Sequence, residues 1–348
     1  MNKLLSIVVP VYKVEPYINK CLDSCMVYKT NEEGDKVVDE ELMNQLEVII
    51  VNDGTPDRSA EMSLEYVKRN PQTFRQIDKE NGGHGSAWNV GLKEATGKYL
   101  RFLDSDDWLT NLDRLMRDLK DCDADVVFNP FEVVDSSGNK MVIPNPNFGE
   151  KDGSSDGGMA YPITRKIWMT SGYKYCNVNF WSVTYKTEIL KTLWPLFAEK
   201  VMYDDYILTW APLIFGRLCV AFDYVLYNYL VGRPGNSMSV SLMQKRAYSY
   251  RVCFRQYEAV RDRVDERAVP EELLRCIDEK IAEYARYIFW YEVFLPYEES
   301  KGTLRHLYGN YFKGIVSSKM LKRYLKLPFF LFYWVERLRY KKNKMIGE

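Results

Sequence analysis

The sequence predicts an α/β protein: a parallel sheet with covering helices, followed by a mainly helical C-terminal region. Three observations predict it. Strand and helix signals alternate through the first third of the chain, the signature of parallel strands joined by crossover helices. The strand candidates there are short runs rich in Val, Ile and Leu, which suits strands buried on both faces. From roughly Ser239 onward the pattern turns helical and ends in a basic, aromatic-rich tail. At 348 residues the chain exceeds one minimal domain, and 46% hydrophobic with 28% charged residues suffices for a sizeable core. The expected division is one unit over 1–235, with halves over about 1–110 and 111–235, and a helical region over 236–348.

Taken in order, Leu4 to Val9 is an apolar run stopped by Pro10 and reads as a buried strand. A helix is expected from Glu15, with Ile18, Leu22, Cys25 and Met26 on one face. The polar segment Thr30 to Glu41 reads as a surface insertion before the second strand, Leu46 to Val51. Asn52-Asp53-Gly54-Thr55-Pro56-Asp57 is dense turn chemistry, and Asp57 or Ser59 is placed to cap a helix running to Arg69. Phe74 to Ile77 is the third strand, and the glycine-rich Asn81-Gly82-Gly83-His84-Gly85-Ser86 leads into a helix ending near Thr96-Gly97. Lys98 to Leu103 is the fourth strand and runs into Asp104-Ser105-Asp106-Asp107. Ala124 to Val134, Trp181 to Tyr185 and Leu218 to Tyr224 are further strand candidates. Pro144 to Gly158 is rich in Pro, Gly, Ser and Asp, cannot build a core, and reads as a mobile loop of the kind that forms lids.

Composition removes several function classes. The formal charge is zero, with 48 basic and 48 acidic residues, but residues 301–348 hold 12 basic against 2 acidic. An acidic body with a basic tail argues against a general nucleic-acid binder. The seven cysteines form no Cys-x-x-Cys pair and read as reduced thiols of a cytoplasmic protein. With only His84 and His306, a histidine-built zinc site is excluded. The N-terminal apolar run is too short for a secretory signal. The longest strongly apolar stretch, Leu327 to Val335, falls far short of the ~20 residues that span a bilayer. The sequence therefore does not read as an integral membrane protein.

Three clusters carry candidate chemistry. Asp104-Ser105-Asp106-Asp107 stands at the carboxyl end of an apolar strand, where open α/β sheets bind ligands. Carboxylates held together there need an offsetting cation, and hard oxygen donors suit Mg²⁺ or Mn²⁺ bridging to substrate phosphates. The alternative is that Asp106 or Asp107 caps a helix beginning near Leu109. Asp53, at the end of the second strand, is placed to accept from a base or ribose, or else forms a plain Asx-turn. Tyr203-Asp204-Asp205-Tyr206 sets two carboxylates among aromatics, whose desolvation raises a carboxyl pKa as a general base requires, although a helix cap is an alternative here too. The glycine loop lacks the Lys-Ser/Thr ending of a Walker loop.

The order of these pieces is more specific than any one of them. Ser6-Ile7-Val8-Val9-Pro10-Val11-Tyr12 is followed by Val48-Ile49-Ile50-Val51-Asn52-Asp53-Gly54-Thr55, then Asn81-Gly82-Gly83, Asn89-Val90-Gly91-Leu92 and Ala95-Thr96-Gly97-Lys98-Tyr99. The series ends in Phe102-Leu103-Asp104-Ser105-Asp106-Asp107. Over about residues 3 to 230 the chain closely resembles the family 2 glycosyltransferases, of the inverting, non-processive bacterial type. The resemblance implies a GT-A fold, a Rossmann-like nucleotide-sugar-binding domain, with the mainly helical region as a C-terminal extension. It implies that Tyr12 and Asp53 hold the nucleobase, with Pro10 and Glu15 lining the same pocket and Gly83 and Asn89 belonging to the donor site. It places the Asp-x-Asp motif on Asp104 and Asp106, Asp106 binding the metal directly and Asp104 contacting the ribose or the metal's waters, with Ser105 between them. Asp204 and Asp205 match the distal acidic pair, Asp205 as general base, and Arg233 matches a loop that folds over the diphosphate. The chain departs from the family in reading Ala87-Trp88-Asn89 where Ala-Arg-Asn is frequent, and Asp204-Asp205 where Glu-Asp is usual. The Gln-x-x-Arg-Trp motif of processive synthases is absent.

The function expected from this resemblance is transfer of one sugar from a nucleotide-sugar donor, a UDP-sugar in the usual case, to a hydroxyl of a glycan or lipid-linked acceptor in surface polysaccharide synthesis. Mn²⁺ or Mg²⁺ is the expected cofactor. The basic aromatic segment 319–344 suits an anionic membrane surface, giving a cytoplasmic protein held on the inner face of the membrane, or else it packs on the acidic body. A dinucleotide-dependent oxidoreductase fails because Pro10-Val11-Tyr12-Lys13-Val14-Glu15 stands where Gly-x-Gly-x-x-Gly is required. An aspartyl phosphotransferase using Asp104 and Asp106 leaves Tyr12, Asp53 and Asp205 without roles. A non-catalytic nucleotide- or carbohydrate-binding module would not need both acidic clusters.

Overall fold

The computed structural model describes residues 3–146, 159–162, 180–211, 214, 216–232, 240–292, 295–311, 331, 333, 334 and 338. The strands are β1 (Leu5–Val11), β2 (Tyr28–Thr30), β3 (Lys36–Val38), β4 (Leu46–Asn52), β5 (Phe74–Asp78), β6 (Tyr99–Phe102), β7 (Trp108–Leu109), β8 (Val126–Phe128), β9 (Phe131–Asp135), β10 (Lys140–Ile143), β11 (Met159–Pro162), β12 (Val183–Lys186), β13 (Leu218–Ala221) and β14 (Tyr227–Val231). The helices are α1 (Ile18–Asp23), α2 (Glu40–Gln45), α3 (Ser59–Arg69), α4 (His84–Glu94), α5 (Leu112–Lys120), α6 (Thr187–Lys191), α7 (Val240–Asp262), α8 (Glu271–Glu292) and α9 (Tyr297–Asn310).

An eight-stranded sheet runs β11-β13-β8-β12-β6-β1-β4-β5. Its β6-β1-β4-β5 half is parallel, whereas β12 is antiparallel to both β6 and β8. Every residue of β1 is buried, which explains its unbroken apolar run. The chain leaves β1 to build β4 on one side and later returns to build β6 on the other. That reversal opens a crevice outside the carboxyl ends of these strands, the usual ligand site of such sheets. A second sheet, β10-β9-β14-β7, stands beside it.

Several details differ from the sequence expectations for physical reasons. The run from Ala124 to Val134 is two strands, because Pro130 offers no N–H and Asn129 donates its own to Ser182 instead. The polar insertion forms the β2–β3 hairpin and reaches the start of α2. Asp57 accepts the backbone N–H of Ser59 at 3.1 Å and its hydroxyl at 2.6 Å, so it secures the start of α3. Leu109 lies in β7 and the next helix starts at Leu112, so neither Asp106 nor Asp107 caps it. Arg101 interrupts an otherwise apolar strand and is fully buried. Its guanidinium donates to Thr184 Oγ1 at 2.9 Å and to the carbonyl of Trp181, tying β6 to β12.

The helical region packs on the segment that carries Asp204 and Asp205. Tyr257 of α7 donates to the Tyr203 carbonyl at 3.2 Å, and Tyr206 donates to the Lys280 carbonyl of α8 at 3.3 Å. Tyr284 joins them, 4.8 Å from Tyr206 and 4.7 Å from Tyr257 between ring centroids. Arg251 of α7 pairs with the buried Glu292 of α8, which holds the two helices in one register. Six cysteines are free thiols among the described residues. No helix among the described residues is long and apolar enough to cross a membrane.

Candidate active site

The crevice at the sheet's carboxyl edge is a cleft of about 800 Å³. Consecutive strands deliver its walls: Pro10 and Tyr12 follow β1, Asp53 follows β4, and Asp104, Ser105 and Asp106 follow β6. The glycine loop and the first turn of α4 contribute Gly83 and His84, and Lys200, Val201, Met202, Tyr248 and Ser249 complete the lining.

Asp53 is only 2% exposed. Its carboxylate accepts from Lys79 Nζ at 2.6 Å and from the N–H groups of Gly82 and Gly83 at 2.9 and 2.8 Å. The residue therefore clamps the glycine loop against the end of β4 while lining the cleft. Gly83 has φ +85, and a Cβ there would lie 3.1 Å from the Lys200 backbone, so glycine is required on both counts.

Asp104, Asp106 and Asp107 bring ligand oxygens within 4.8 Å of one another. Asp107 points inward, accepting from Tyr227 Oη at 2.6 Å and Leu230 N at 2.8 Å. Burial pushes its pKa well up, and the charges of Asp104 and Asp106 push it further. Asp104 and Asp106 face the cleft. An all-oxygen donor set of three neighbouring carboxylates fits a hard divalent cation.

His84, named in the sequence reading as part of the glycine loop and without a role, joins the two acidic clusters. Its Nε2 lies 3.0 Å from Asp104 Oδ1, and its Nδ1 lies 3.2 Å from both carboxylate oxygens of Asp204. Burial alone would lower its pKa, but Asp204 and then Asp104 raise it well above the ordinary value. The available signal was a histidine between glycines at a helix start. Gly85 has to be small, because a Cβ would meet Ala198 O at 2.2 Å and Asp204 Oδ2 at 2.5 Å.

Asp204 and Asp205 open a 3-10 turn over Asp204–Thr209, after Tyr203 in the left-handed region at φ 66. Asp204 is buried and committed to His84. Asp205 is half-buried; burial and the charge of Asp204 push its pKa up to about 7, against the pull of His84. Neither carboxylate is among the cleft-lining residues, and Asp204 reaches the cleft through His84. Two further residues lie away from the lining. Glu15 accepts from the backbone N–H of Arg58 at 3.3 Å, beside the start of α3. Asn89 is buried and gives its amide to the 196–197 loop, accepting from Leu196 N and Phe197 N at 3.0 Å each. Its neighbour Trp88 is buried too, 4.5 Å from Phe102 in a stacked pair. Arg233 lies outside the described residues, as do 147–158 of the expected lid.

A parallel-sheet crevice that receives Tyr12, Asp53 and the Asp104-Ser105-Asp106 turn from successive strand ends is the layout of a GT-A fold. Residues 6–157 match the family model described as Glycosyl transferase family 2. Among curated proteins, the chain is 31% identical over 212 residues to the uncharacterized glycosyltransferase EpsJ of Bacillus subtilis, covering 59% of this chain and 54% of that protein. It is 37% identical over 105 residues to the putative glycosyltransferase EpsH of the same organism, covering 30% of this chain and 26% of the relative. The chain thus spans about half or less of the length of these relatives. Among solved structures, S. aureus TarS 1-349 in complex with UDP-GlcNAc superposes with a TM-score of 0.66 at 20% identity, covering 98% of this chain and 92% of that one. That likeness establishes the fold.

Proposed function

We propose that this protein is a metal-dependent inverting glycosyltransferase. It moves one sugar from a UDP-sugar to a hydroxyl of a glycan or lipid-linked acceptor during assembly of a surface polysaccharide. The observation that carries the reading is the single cleft into which β1, β4 and β6 deliver Tyr12, Asp53, Asp104 and Asp106. Its support from likeness is the TarS structure solved with UDP-GlcNAc and a relative named teichoic acid poly(glycerol phosphate) polymerase, 38% identical over 112 residues.

In this reading Tyr12 stacks on the nucleobase and Asp53, fixed by the glycine loop, accepts from it. Asp104 and Asp106 would hold Mn²⁺ or Mg²⁺, which supplies charge neutralisation for the departing nucleoside diphosphate. Asp205 takes the proton of the acceptor hydroxyl as its oxygen attacks the anomeric carbon from the face opposite the leaving group. One displacement inverts that carbon. His84 keeps Asp104 and Asp204 in register between the two halves of the reaction. The test is a panel of UDP-, GDP- and dTDP-sugars with and without Mn²⁺, read as released nucleotide. Metal-dependent release from UDP-sugars is expected; absence of release from every donor overturns the reading and leaves a binding module.

We also propose that segment 319–344 rests on an anionic membrane. Most of it lies outside the described residues; Tyr333 is buried and donates to the Leu295 carbonyl at 2.9 Å. Leu331, Trp334 and Leu338 are exposed at 46%, 42% and 64%. Their i, i+3, i+7 spacing is that of one helical face, and the sequence around them is rich in lysine and arginine, the composition of an interfacial helix. Salt-sensitive co-sedimentation with phosphatidylglycerol vesicles is expected, and its loss in the Trp334→Ser, Leu338→Ser double variant. Sedimentation of that variant equal to wild type rules the contact out.

A further inference from the structure

We propose that Lys200 is a donor-binding residue whose ammonium holds the diphosphate of the nucleotide sugar; the proposal rests on the nucleotide-sugar reading above. Among the described residues, Lys200 is the only lysine or arginine lining the cleft. The other lining charges are the carboxylates of Asp53, Asp104 and Asp106 and the imidazole of His84. Asp53 is already offset by Lys79 at 2.6 Å. A single divalent cation on Asp104 and Asp106 would divide its charge between those two carboxylates and the diphosphate, so a further cation adds to the neutralisation. The diphosphate of a nucleotide sugar is esterified at both ends and carries about one negative charge on each phosphate near pH 7. His84 is spent between Asp104 and Asp204. Trp88, on the helix facing the cleft, is packed in an aromatic cluster and brings no charge.

Lys200 is also held where such a charge is useful. Its N–H donates to Gly82 O at 2.7 Å, and its Cα lies 3.1 Å from the position of a Cβ on Gly83, so its backbone lies directly on the glycine loop. Two residues on, Met202 N donates to Ser249 Oγ at 3.1 Å, which fastens the segment to α7. Lys200 has φ 58 and Tyr203 φ 66, two non-glycine residues in the left-handed region within four positions. Such strain persists where surrounding contacts over-determine the backbone, and it concentrates at ligand clamps. Among the described residues, no ion pair or hydrogen bond engages the side-chain ammonium, which is exposed. A lysine kept in a strained backbone with its charge unspent, in the same cleft as Asp104 and Asp106, fits a phosphate group that arrives with the donor.

The test compares Lys200→Met and Lys200→Arg with wild type in Mn²⁺. UDP and GDP are titrated by calorimetry, and uridine and guanosine by NMR. Methionine keeps the stem length and the same backbone demand, so folding is preserved. For whichever diphosphate wild type binds, Lys200→Met is expected to weaken the affinity about 10- to 100-fold, as loss of a charge-assisted hydrogen bond does. Affinity for the bare nucleoside is expected to stay within twofold, and Lys200→Arg to recover most of the loss. Wild-type diphosphate affinity in Lys200→Met overturns the assignment while leaving the nucleotide-sugar reading intact. So does an equal loss for nucleoside and diphosphate, which marks a structural residue. If wild type binds neither diphosphate, the nucleotide-sugar reading falls and this proposal with it.

Discussion

Asp205→Asn is expected to lower the transfer rate by about two to four orders of magnitude while donor affinity stays unchanged. The amide keeps the shape of the carboxylate and cannot accept the acceptor's proton. The pKa of about 7 gives this prediction a second readout. Only the ionised form works as a base, so the wild-type rate should rise about tenfold per pH unit below 7 and level off above it, whereas the variant's residual rate should lack that limb. Stability runs the other way. A carboxyl whose folded pKa lies above its unfolded value favours the protonated form in the fold, so its stabilising contribution is present at acid pH and lost as pH rises through about 7. Asp205→Asn removes that penalty, and the variant should melt higher than wild type at pH 8, with the difference shrinking as pH falls towards about 4. A variant that is slower and also less stable at pH 8 would point to a structural role. Asp204→Asn slow with Asp205→Asn fast would move the base to Asp204 and leave Asp205 as its neighbour.

Parts of this site were legible because they sit where strand chemistry changes abruptly. A buried parallel strand has to surface at its carboxyl end, so Asp53 and Asp104-Ser105-Asp106 announce themselves as polar turns after apolar runs, and a parallel sheet then gathers such ends along one edge. What was not legible depends on contacts between residues far apart in the chain. Asn89 stands in a motif that suggested a donor contact, yet its amide is committed to a loop more than a hundred positions on, at Leu196 and Phe197. Glu15 faces the start of α3 through Arg58. His84 is one ring in a glycine loop, and nothing local shows that it spans Asp104 and Asp204, 20 and 120 positions away. Tyr248 and Ser249 line the cleft from α7, beyond the expected boundary at 235, because the aromatic contacts among Tyr203, Tyr206, Tyr257 and Tyr284 draw the helical region onto the acidic turn. Period and spacing report which face of an element is apolar; they do not report which partner covers it.

Asp106→Ala should abolish metal-dependent turnover without unfolding the protein. The side chain lines the cleft and is partly exposed, so its loss opens no cavity in the core. The electrostatic consequence in the metal-free protein is favourable: Asp106 is one of the charges that, after burial itself, raise the pKa of Asp107. Removing a carboxylate from a crowded trio relieves repulsion, so the metal-free variant should melt no lower than wild type. With metal the order reverses. A ligand that binds only the folded state stabilises it by RT ln(1 + [L]/Kd), about 2.7 kcal/mol at a hundredfold excess over Kd. Wild type in saturating Mn²⁺ and UDP should therefore melt several degrees higher than in chelator, and Asp106→Ala should show little of that shift. Asp104→Ala is expected to lose the shift as well and, in addition, the His84 contact at 3.0 Å, so it should also lower the transfer rate when metal is forced in at high concentration. Full activity of Asp106→Ala in the presence of a chelator, or an undiminished Mn²⁺ shift in its melting curve, would remove the metal from this mechanism.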